Sequence, residues 1–599
     1  MAQAAGQAPR GARLSLGFAG AGVLLGAADT YVVVVALPAI MSSVGVDISH
    51  LQEATPIISG FLLGYVAVLP LLGRLSDLFG RAPVLTACLV IFAAGSLITA
   101  SANSLGAVVA GRTLQGVGGG GLVPVTLALV ADLWPSRRRG VPLGVVGAVQ
   151  EFGSVAGPLY GAALTAASTW RAIFYVNLPL AAGIAAGVNL RERPDTTAAA
   201  PTLRLDRAGA ALTAVCAATT VLAVAAPSAL ADSVSVGTAF APLVGDIAVT
   251  TPLALAAMLS ALGLVARELS VPATVRPLIP LRGMMRGLQR VDWLGGVLVA
   301  LVLGCVVVSF ATADPQRQVV GAAAPFLLPA GAVLAALFVV RELRVAEPLV
   351  DLRALGDRAA VGSLAANLAV GAALLAALVD IPVFARVTVD ADSQVAAALV
   401  LARLLVAVPV GAVLGGALVG RFGYRAVAGA GMLLAAAMFT LMAGWTATAL
   451  ADPLAGVGWL HPSDLVLVGC GLGFGLAIVP VTAAILGAVP QRLHGIAASL
   501  TVAARMVGML TGLSLLTAIG LRRFYSVQAM LPRPISLCPN TPLNCPAYDS
   551  LEKGAILDEL HVVFLGAAAC AVLAATVAIS LLRRRGESDA RHLLGVDYA

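Results

Sequence analysis

The chain has 599 residues, of which 59% are hydrophobic and 11% are charged, and its mean hydropathy is +0.97. Since soluble domains carry about 25% charged residues, this composition excludes a soluble globular protein. The net charge of +7 comes from basic residues scattered over short loops, which indicates membrane topology and no nucleic-acid partner.

Long apolar runs recur along the whole chain. They are continuous and do not alternate with polar residues, and about 20 mostly apolar residues let a helix cross a membrane. We therefore predict an all-α membrane protein. The first run contains Asp29 and no clean cleavage site, so we interpret it as a retained helix and not as a signal peptide. Sixteen segments are predicted: 15–40, 54–74, 83–101, 105–133, 141–166, 172–190, 207–226, 251–267, 293–312, 324–341, 359–385, 394–419, 426–449, 463–489, 495–520 and 559–582.

The segments form two halves around a linker. Arginines concentrate in alternate turns, so the positive-inside rule places both termini in the cytoplasm. In the linker, the segments around Asp206 and Arg267 resemble those around Asp292 and Arg341, which suggests a duplicated helix pair. We predict a cytoplasmic tail at 1–14, a six-helix bundle at 15–190, a linker at 191–358, a second six-helix bundle at 359–582 with an external loop at 521–555, and a cytoplasmic tail at 583–599.

Two short turns show that the halves are copies of one plan. The turn Gly73–Arg81 and the turn Gly416–Arg425 each join two apolar segments, and their glycines match at a constant offset. A membrane transporter built from two repeats usually has its site between them, near mid-membrane. We expect the working site there.

The order of motifs resembles the major facilitator superfamily. Gly73, Asp77, Gly80 and Arg81 match its loop motif between helices two and three, although Ala82 stands where a basic residue is common. Arg112 matches its fourth-helix motif, and the antiporter-type fifth-helix motif is matched by Gly153, Gly157, Pro158 and Gly161. The resemblance implies the major facilitator fold, with two pseudo-symmetric six-helix bundles plus inserted linker helices.

A narrower resemblance points to the mycobacterial triacylglyceride exporters. It is carried by the segments Asp29–Val34, Gln150–Gly161 and Ala504–Met506. The resemblance implies fourteen helices in the inner membrane and a periplasmic glycolipid-binding lipoprotein as partner. The sixteen segments predicted here depart from that number, so a protein with fourteen membrane helices is the alternative. We expect a monomer.

Ionisable groups inside membrane helices are costly and are functional candidates. Asp29, Glu151, Asp380 and Arg505 are such groups. Glycines that follow Arg505 echo those that follow Glu151, so we predict an ion pair between the halves that closes a central cavity and opens when Glu151 takes up a proton. A static fastening of the halves is the alternative. Asp29 is a second proton-site candidate, with a helix-packing hydrogen bond as its alternative, and Asp380 is a weaker one.

A gating cluster is predicted at the turn Gly73–Arg81. Asp77 would face the positive N-terminus of the helix that begins near Gly495. Arg81 and Arg112 would complete the cluster, which would break as the halves tilt. Turn residues and topology arginines are the alternative. The second copy has Gly420 where the first has Asp77, so this gate would be one-sided.

The external loop 521–555 contains Cys538 and Cys545, which would form a disulfide in an oxidising compartment; unpaired thiols are the alternative. We place contact with the lipoprotein in this loop, with an inert loop as the alternative. The sequence has no Walker-type phosphate loop and no metal-ligand motif, so we expect no cofactor and no enzyme.

The leading hypothesis is therefore a proton-coupled secondary transporter that exports lipid, with triacylglyceride as the expected substrate, from the inner membrane toward the periplasm. A proton-coupled multidrug antiporter is the main alternative, because it shares the fifth-helix motif. A membrane scaffold or enzyme is a more remote one.

Overall fold

The structure is almost entirely helical. The computed structural model describes residues 12–46, 51–135, 138–191, 204–225, 230, 233, 235–243, 250–270, 275–276, 292–311, 320–388, 394–451, 461–538 and 545–582. Its helices are α1 (Ala12–Ser43), α2 (Leu51–Phe79), α3 (Arg81–Ala100), α4 (Leu105–Leu133), α5 (Gly140–Ala167), α6 (Trp170–Arg191), α7 (Arg207–Ala225), α8 (Pro252–Ser270), α9 (Trp293–Ala311), α10 (Ala324–Arg344), α11 (Arg358–Thr388), α12 (Gln394–Met442), α13 (Pro462–Ala488), α14 (His494–Gln528), α15 (Pro534–Leu537) and α16 (Pro546–Leu581). The predicted tails lie mostly outside the described residues, as does the stretch 277–291 of the linker.

Within the described residues, each of the sixteen predicted segments coincides with a long helix over most of its length. The segments 394–419 and 426–449 correspond to the two halves of α12, which turns at Gly423 with φ of +77° and ends at Met442, seven residues before the predicted boundary. Gly80, its counterpart in the first half, has φ of +91° between α2 and α3. Only glycine adopts such angles without strain, which explains why both copies of the turn need it. In the described residues, twelve helical stretches are long and apolar enough to cross a membrane.

Glycines hold the helices of each bundle close together. In the N-terminal bundle (α1–α6), α4 packs against both α2 and α3. A Cβ atom on Gly120 would lie 2.5 Å from the carbonyl oxygen of Tyr65 on α2, so no side chain fits there. In the C-terminal bundle (α11–α14 and α16), Gly475 of α13 abuts α12 in the same way. Small residues at such contacts allow the close packing that membrane helices depend on.

The linker contains a structural duplication, as its sequence repeat suggests. Asp206, before α7, accepts hydrogen bonds from the Nε and Nη2 atoms of Arg267 at the end of α8, and the Nη2–Oδ1 distance is 2.9 Å. Asp292 and Arg341 repeat the arrangement between α9 and α10, with an Nη2–Oδ1 distance of 2.7 Å. Hydrogen bonding from Arg267 lowers the pKa of Asp206. Two short parallel strands, β1 (Arg204–Leu205) and β2 (Val275–Arg276), flank the first helix pair.

The two linker pairs are packed differently. Helix α9 contacts both α2 and α14, so the second pair covers one seam between the bundles. Gly304 of α9 lies against Leu63 of α2, and Ser514 of α14 donates a hydrogen bond to the carbonyl of Phe310. Helices α7 and α8 pack mainly on each other. Their apolar side chains are exposed in the protein, as expected for surfaces that face lipid.

Helices α14 and α16 are longer than a membrane crossing requires. They have 35 and 36 residues, which corresponds to about 50 Å each, against a hydrocarbon core of about 30 Å. Helix α16 therefore begins thirteen residues before the last predicted membrane segment, because its polar start does not show as an apolar run. Arg523 and Asp558 form an ion pair between the projecting ends. We call the projecting part, residues 521–538 and 545–558, the stalk.

Candidate functional site

A central cavity of about 590 Å³, counting space open to solvent, lies between the two bundles. Helices α1, α2, α4 and α5 contribute its lining from one bundle, and α11 and α14 contribute it from the other. Its walls are mostly apolar, and the ionisable side chains among the lining residues are Glu151, Arg505 and Tyr65. A cavity is therefore present between the two repeats, where the working site is predicted.

Glu151 and Arg505 face each other across this cavity. The Nη1 atom of Arg505 is 3.7 Å from the Oε1 atom of Glu151, and the two residues are 5% and 6% exposed. The structure thus brings together the two charges that glycine spacing had paired. This Nη1–Oε1 distance allows attraction between the two charges but is too long for a direct hydrogen bond.

The glycines near each charge fix its helix. A Cβ atom on Gly153 would lie 2.8 Å from that of Ala27 on α1, and Gly157 and Gly161 also abut α1 directly. Gly508 and Gly512 place α14 against α11 in the same way. Pro158 lies inside α5, half-buried beside Gly157. The fifth-helix motif therefore acts here as a packing surface that positions Glu151.

A second cavity of about 350 Å³ lies next to the first. Gln150 and Arg505 line both cavities, so these two side chains stand between them. Asn367 also lines the second cavity, and its Oδ1 atom is buried without a hydrogen-bond partner among the described residues. Arg505 thus borders both the cavity that contains Glu151 and the cavity that contains this unused acceptor. Sequence reasoning missed Asn367, since a single amide in a helix carries no motif.

Asp29 lies inside the N-terminal bundle, in a polar cluster. Its Oδ2 atom accepts a hydrogen bond from Arg112 Nη1 at 2.5 Å, and its Oδ1 atom accepts from Asn177 Nδ2 at 2.8 Å and from Gln115 Nε2 at 3.2 Å. The guanidinium of Arg112 also lies 4.3 Å from the ring centre of Phe61. This arrangement corresponds to the packing alternative for Asp29.

The prediction that Arg112 joins Asp77 in a gating cluster is wrong. Arg112 is twenty residues from Asp132 along α4, or about 30 Å, and Asp132 is the residue that binds Arg81. The predicted segment 105–133 already places Arg112 near the end of α4 that lies away from the turn Gly73–Arg81, so the motif was given more weight than the helix position.

The predicted contact of Asp77 with the α14 N-terminus is present. Gly495 N donates to Asp77 Oδ1 at 2.8 Å and Ile496 N donates to Oδ2 at 3.0 Å. Arg81 Nη1 donates to Asp77 Oδ1 at 2.6 Å. A carboxylate at a helix N-terminus satisfies free amide groups and is attracted to the positive end of the helix dipole. Gly73 permits this approach, because a Cβ atom there would lie 2.5 Å from the carbonyl oxygen of Gly495.

Asp132 and His494 extend this contact, and the sequence did not predict either. Arg81 Nε donates to Asp132 Oδ2 at 2.8 Å, and His494 Nδ1 lies 3.1 Å from Asp132 Oδ1 across the seam. We call Asp77, Arg81, Asp132 and His494 the latch. The latch joins α14 to the end of the N-terminal bundle that carries the basic turns. We call this end the arginine-rich end.

The second half closes the same end by a different contact. Gly416, the counterpart of Gly73, meets Gly140 at the start of α5 with their backbones touching. Gly420, the counterpart of Asp77, has open space around it. Arg139 Nη2 instead donates to the carbonyl of Ala483 at 3.2 Å. The carboxylate latch is therefore one-sided, and both seams are closed at the arginine-rich end.

The remaining candidates lie outside the cavity. Asp380 is buried in the C-terminal bundle, 7% exposed. Cys538 and Cys545 are joined by a disulfide at the tip of the stalk, with Cα atoms 5.7 Å apart, whereas the loop 539–544 between them lies outside the described residues. No group of metal-ligating side chains occurs in the described residues.

Comparisons with known proteins agree with this architecture. The sequence matches the Major Facilitator Superfamily over residues 19–513. It is 37% identical to a triacylglyceride transporter of Mycolicibacterium smegmatis over 84% of this chain and 74% of the relative. It is 36% identical to one of Mycobacteroides abscessus over 87% of this chain and 85% of the relative.

Solved structures with the same fold are more distant in sequence. The human organic anion transporter MFSD10 (TETRAN) aligns with a TM-score of 0.51 at 14% identity, covering 95% of this chain and all of the other. The proton:xylose symporter XylE aligns with a TM-score of 0.50 at 14% identity, covering 94% of each chain. At such identity these similarities show the fold alone.

Proposed function

Because the chain belongs to the major facilitator superfamily, and is thus a multi-pass membrane transporter and not an enzyme, we propose that it exports lipid by proton-coupled alternating access. Triacylglyceride is the proposed substrate, and the proposed direction is from the inner membrane toward the periplasm. The observation that carries the proposal is the Glu151–Arg505 pair, which is buried in the cavity where the two bundles meet.

The pair provides a physical means of coupling. Removing one partner of a buried ion pair costs about 3–5 kcal/mol, because the other charge stays buried without compensation. A proton on Glu151 has the same electrostatic effect as removing its charge. Arg505 would then gain by turning toward Asn367 in the second cavity or by meeting substrate. Either movement changes the contacts between the bundles, which is what alternating access requires.

The closed arginine-rich end supports an assignment of the described conformation. Basic residues favour the cytoplasmic side, so the latch would lie in the cytoplasm. The described conformation is then the one closed to the cytoplasm. Breaking the contacts of Asp77 with Gly495 and Ile496 would be needed to reach the opposite state.

The cavity favours a neutral lipid over a cationic drug. Its walls are mostly apolar, and its one carboxylate faces Arg505. A cationic drug would meet this guanidinium, whereas the ester groups of a neutral lipid can accept its hydrogen bonds. The names of the mycobacterial relatives agree with such a substrate. Helix α9 covers the seam between α2 and α14, so we propose the seam between α5 and α12 as the lateral entrance, once its contacts at Gly140 and Gly144 separate.

The stalk is the proposed contact for a periplasmic glycolipid-binding lipoprotein. Its tip exposes large apolar side chains, with Met530 74% exposed and Ile535 63% exposed. The disulfide between Cys538 and Cys545 ties the tip together, and it suits an oxidising compartment. An apolar tip on two long helices would give a lipid a route away from the membrane surface.

Reconstitution tests the proposal. Purified protein in vesicles with labelled triacylglyceride and an imposed pH gradient should move label, and Glu151→Gln and Arg505→Ala should abolish the gradient-driven part. Arg425→Ala, on an exposed turn, is the matched control and should transport normally. Wild-type transport by both cavity variants would disprove the coupling scheme, and movement of a cationic drug instead of lipid would favour the multidrug alternative.

Deleting 530–548 separates the stalk from the transport step. The shortened protein should express and move lipid between the leaflets of a vesicle, but it should no longer pass lipid to the purified lipoprotein. Normal transfer to the lipoprotein would refute the role of the stalk.

A further inference from the structure

Asp380 is a buried carboxyl group with an unsatisfied oxygen. It lies on α11 among apolar side chains that include Ala377, Ile381 and Phe384, and only 7% of it is exposed. Its Oδ2 atom has no hydrogen-bond partner among the described residues. Burying an ionised carboxylate without partners is very costly, so the group must be neutralised in some way.

Glu559 on α16 lies at the same level of the bundle. Helices α11 and α14 run parallel in constant register, since Gly508 abuts Leu368 and Gly512 abuts Ala372. The same offset places Gly520 opposite Asp380. A Cβ atom on Gly520 would lie 3.0 Å from Cγ of Glu559, so this half-buried side chain crosses α14 at that level. Helices α11 and α16 also pack against each other, so the two carboxyl groups lie at one level of the same helix interface.

The cations on the surrounding helices are engaged elsewhere or lie outside the bundle core. Arg403 of α12 binds Asp464 of α13, and Arg523 of α14 binds Asp558 of α16. His561 of α16 lies 2.8 Å from the carbonyl oxygen of Trp445 through Nε2. Arg505 lies about 14 Å nearer the arginine-rich end, since Gly371 abuts it. Arg386, Arg522 and Lys553 are exposed.

We propose that Asp380 and Glu559 form a proton-binding site in the C-terminal bundle, which holds one proton between the two carboxyl groups at neutral pH. Two nearby carboxylates in apolar surroundings cannot both be ionised cheaply. One proton leaves a single negative charge on the pair and gives the unsatisfied oxygen a hydrogen. The pair titrates as a unit, so the proton belongs to both residues.

This site is separate from the Glu151–Arg505 pair. Its contrast with Asp29 is informative, because Asp29 occupies the corresponding first helix of the other bundle but is satisfied by Arg112, Gln115 and Asn177. The aspartate in the first helix of one bundle thus has hydrogen-bond partners, whereas the aspartate in the equivalent helix of the other bundle has an unsatisfied oxygen. Coupling of the Asp380 site to export rests on the proposed function, whereas proton binding itself does not.

Infrared spectroscopy of the full-length protein in lipid nanodiscs tests the proposal directly. The carbonyl stretching band of a protonated carboxyl group should be present at about pH 7, where ordinary carboxyl groups are ionised. Asp380→Asn should remove this band. Glu559→Gln should retain the band but lower its titration midpoint by about one pH unit, because a negative neighbour has been removed. Glu151→Gln, the matched control, should leave the Asp380 band in place.

Three results would overturn the proposal: a wild-type protein with no such band at neutral pH, a band unchanged in Asp380→Asn, or a midpoint unchanged in Glu559→Gln. Loss of the band when sodium is added at constant pH would identify a sodium site instead. Since none of these readouts involves lipid, a failure of the proposed export function would leave the band intact. The two proposals can therefore fail independently.

Discussion

Replacing Asp29 by asparagine should strongly destabilise the N-terminal bundle. The substitution keeps the shape of the side chain but removes the negative charge beside Arg112, and both side chains of the pair are 1% exposed. An uncompensated charge at such a site costs about 3–5 kcal/mol. Since a domain of this bundle's size loses about 2–4 °C of melting temperature per kcal/mol, the midpoint should fall by about 6 °C or more.

A double variant that removes both charges provides a second test of the Asp29–Arg112 ion pair. Asp29→Leu with Arg112→Met removes both charges, and apolar replacements of a buried pair are often neutral or stabilising by about 1–4 kcal/mol. The double variant should therefore melt above Asp29→Asn. Asp380→Asn is the matched control: the Oδ2 atom of Asp380 is buried without a hydrogen-bond partner among the described residues, so neutralising this side chain should leave the midpoint unchanged or raise it.

Thermal unfolding in detergent, followed by tryptophan fluorescence, measures these differences. Trp170 is a suitable reporter because it packs against Phe174, whose ring lies beneath Arg112. An Asp29→Asn variant that melts with the wild type would show that the ion pair does not stabilise the bundle. A double variant that melts below the single one would show that the hydrogen bonds matter more than the charge.

Two further predictions concern the seams between the bundles. Gly73→Ala places a methyl group against the carbonyl of Gly495 and should open the latch, so a cysteine probe at the arginine-rich end should become more reactive toward a water-soluble maleimide. The control Gly420→Ala places its methyl group in open space and should leave this reactivity unchanged. Equal reactivity of the probe in both variants would contradict the latch. Arg341→Ala should lower the melting temperature more than Arg267→Ala, because in the described residues the second linker pair packs through α9 against α2 and α14, whereas α7 and α8 pack mainly on each other. Equal losses would show that both pairs contribute alike.

The sequence identified features that repeat or follow a regular spacing. Apolar length was enough to locate each long helix of the described residues, because a membrane helix must satisfy its own backbone. The glycine echo paired Glu151 with Arg505, because glycines mark where helices touch and their spacing is preserved between the halves. The repeat in the linker likewise predicted the pairing of Asp292 with Arg341.

Features that depend on helix rotation and on partners in other helices were not predictable. Arg112 was assigned to the wrong cluster because its partner, Asp29, is 83 residues away, on a helix whose rotation the apolar pattern does not fix. Asp132 lies at a helix end, where a carboxylate looks like an ordinary surface residue. Glu559 was overlooked because the polar first turns of α16 resemble a loop.

The unbroken length of α14 and α16 has a mechanical consequence. Both helices pass from the membrane into the stalk without a proline or a kink inside them. A small rotation of the C-terminal bundle is therefore transmitted along a stiff lever, and the tip near Met530 travels a longer arc than the helices at the cavity do. The movement that opens the cavity and the movement that presents the tip to an acceptor would be one motion, timed together without a separate signal.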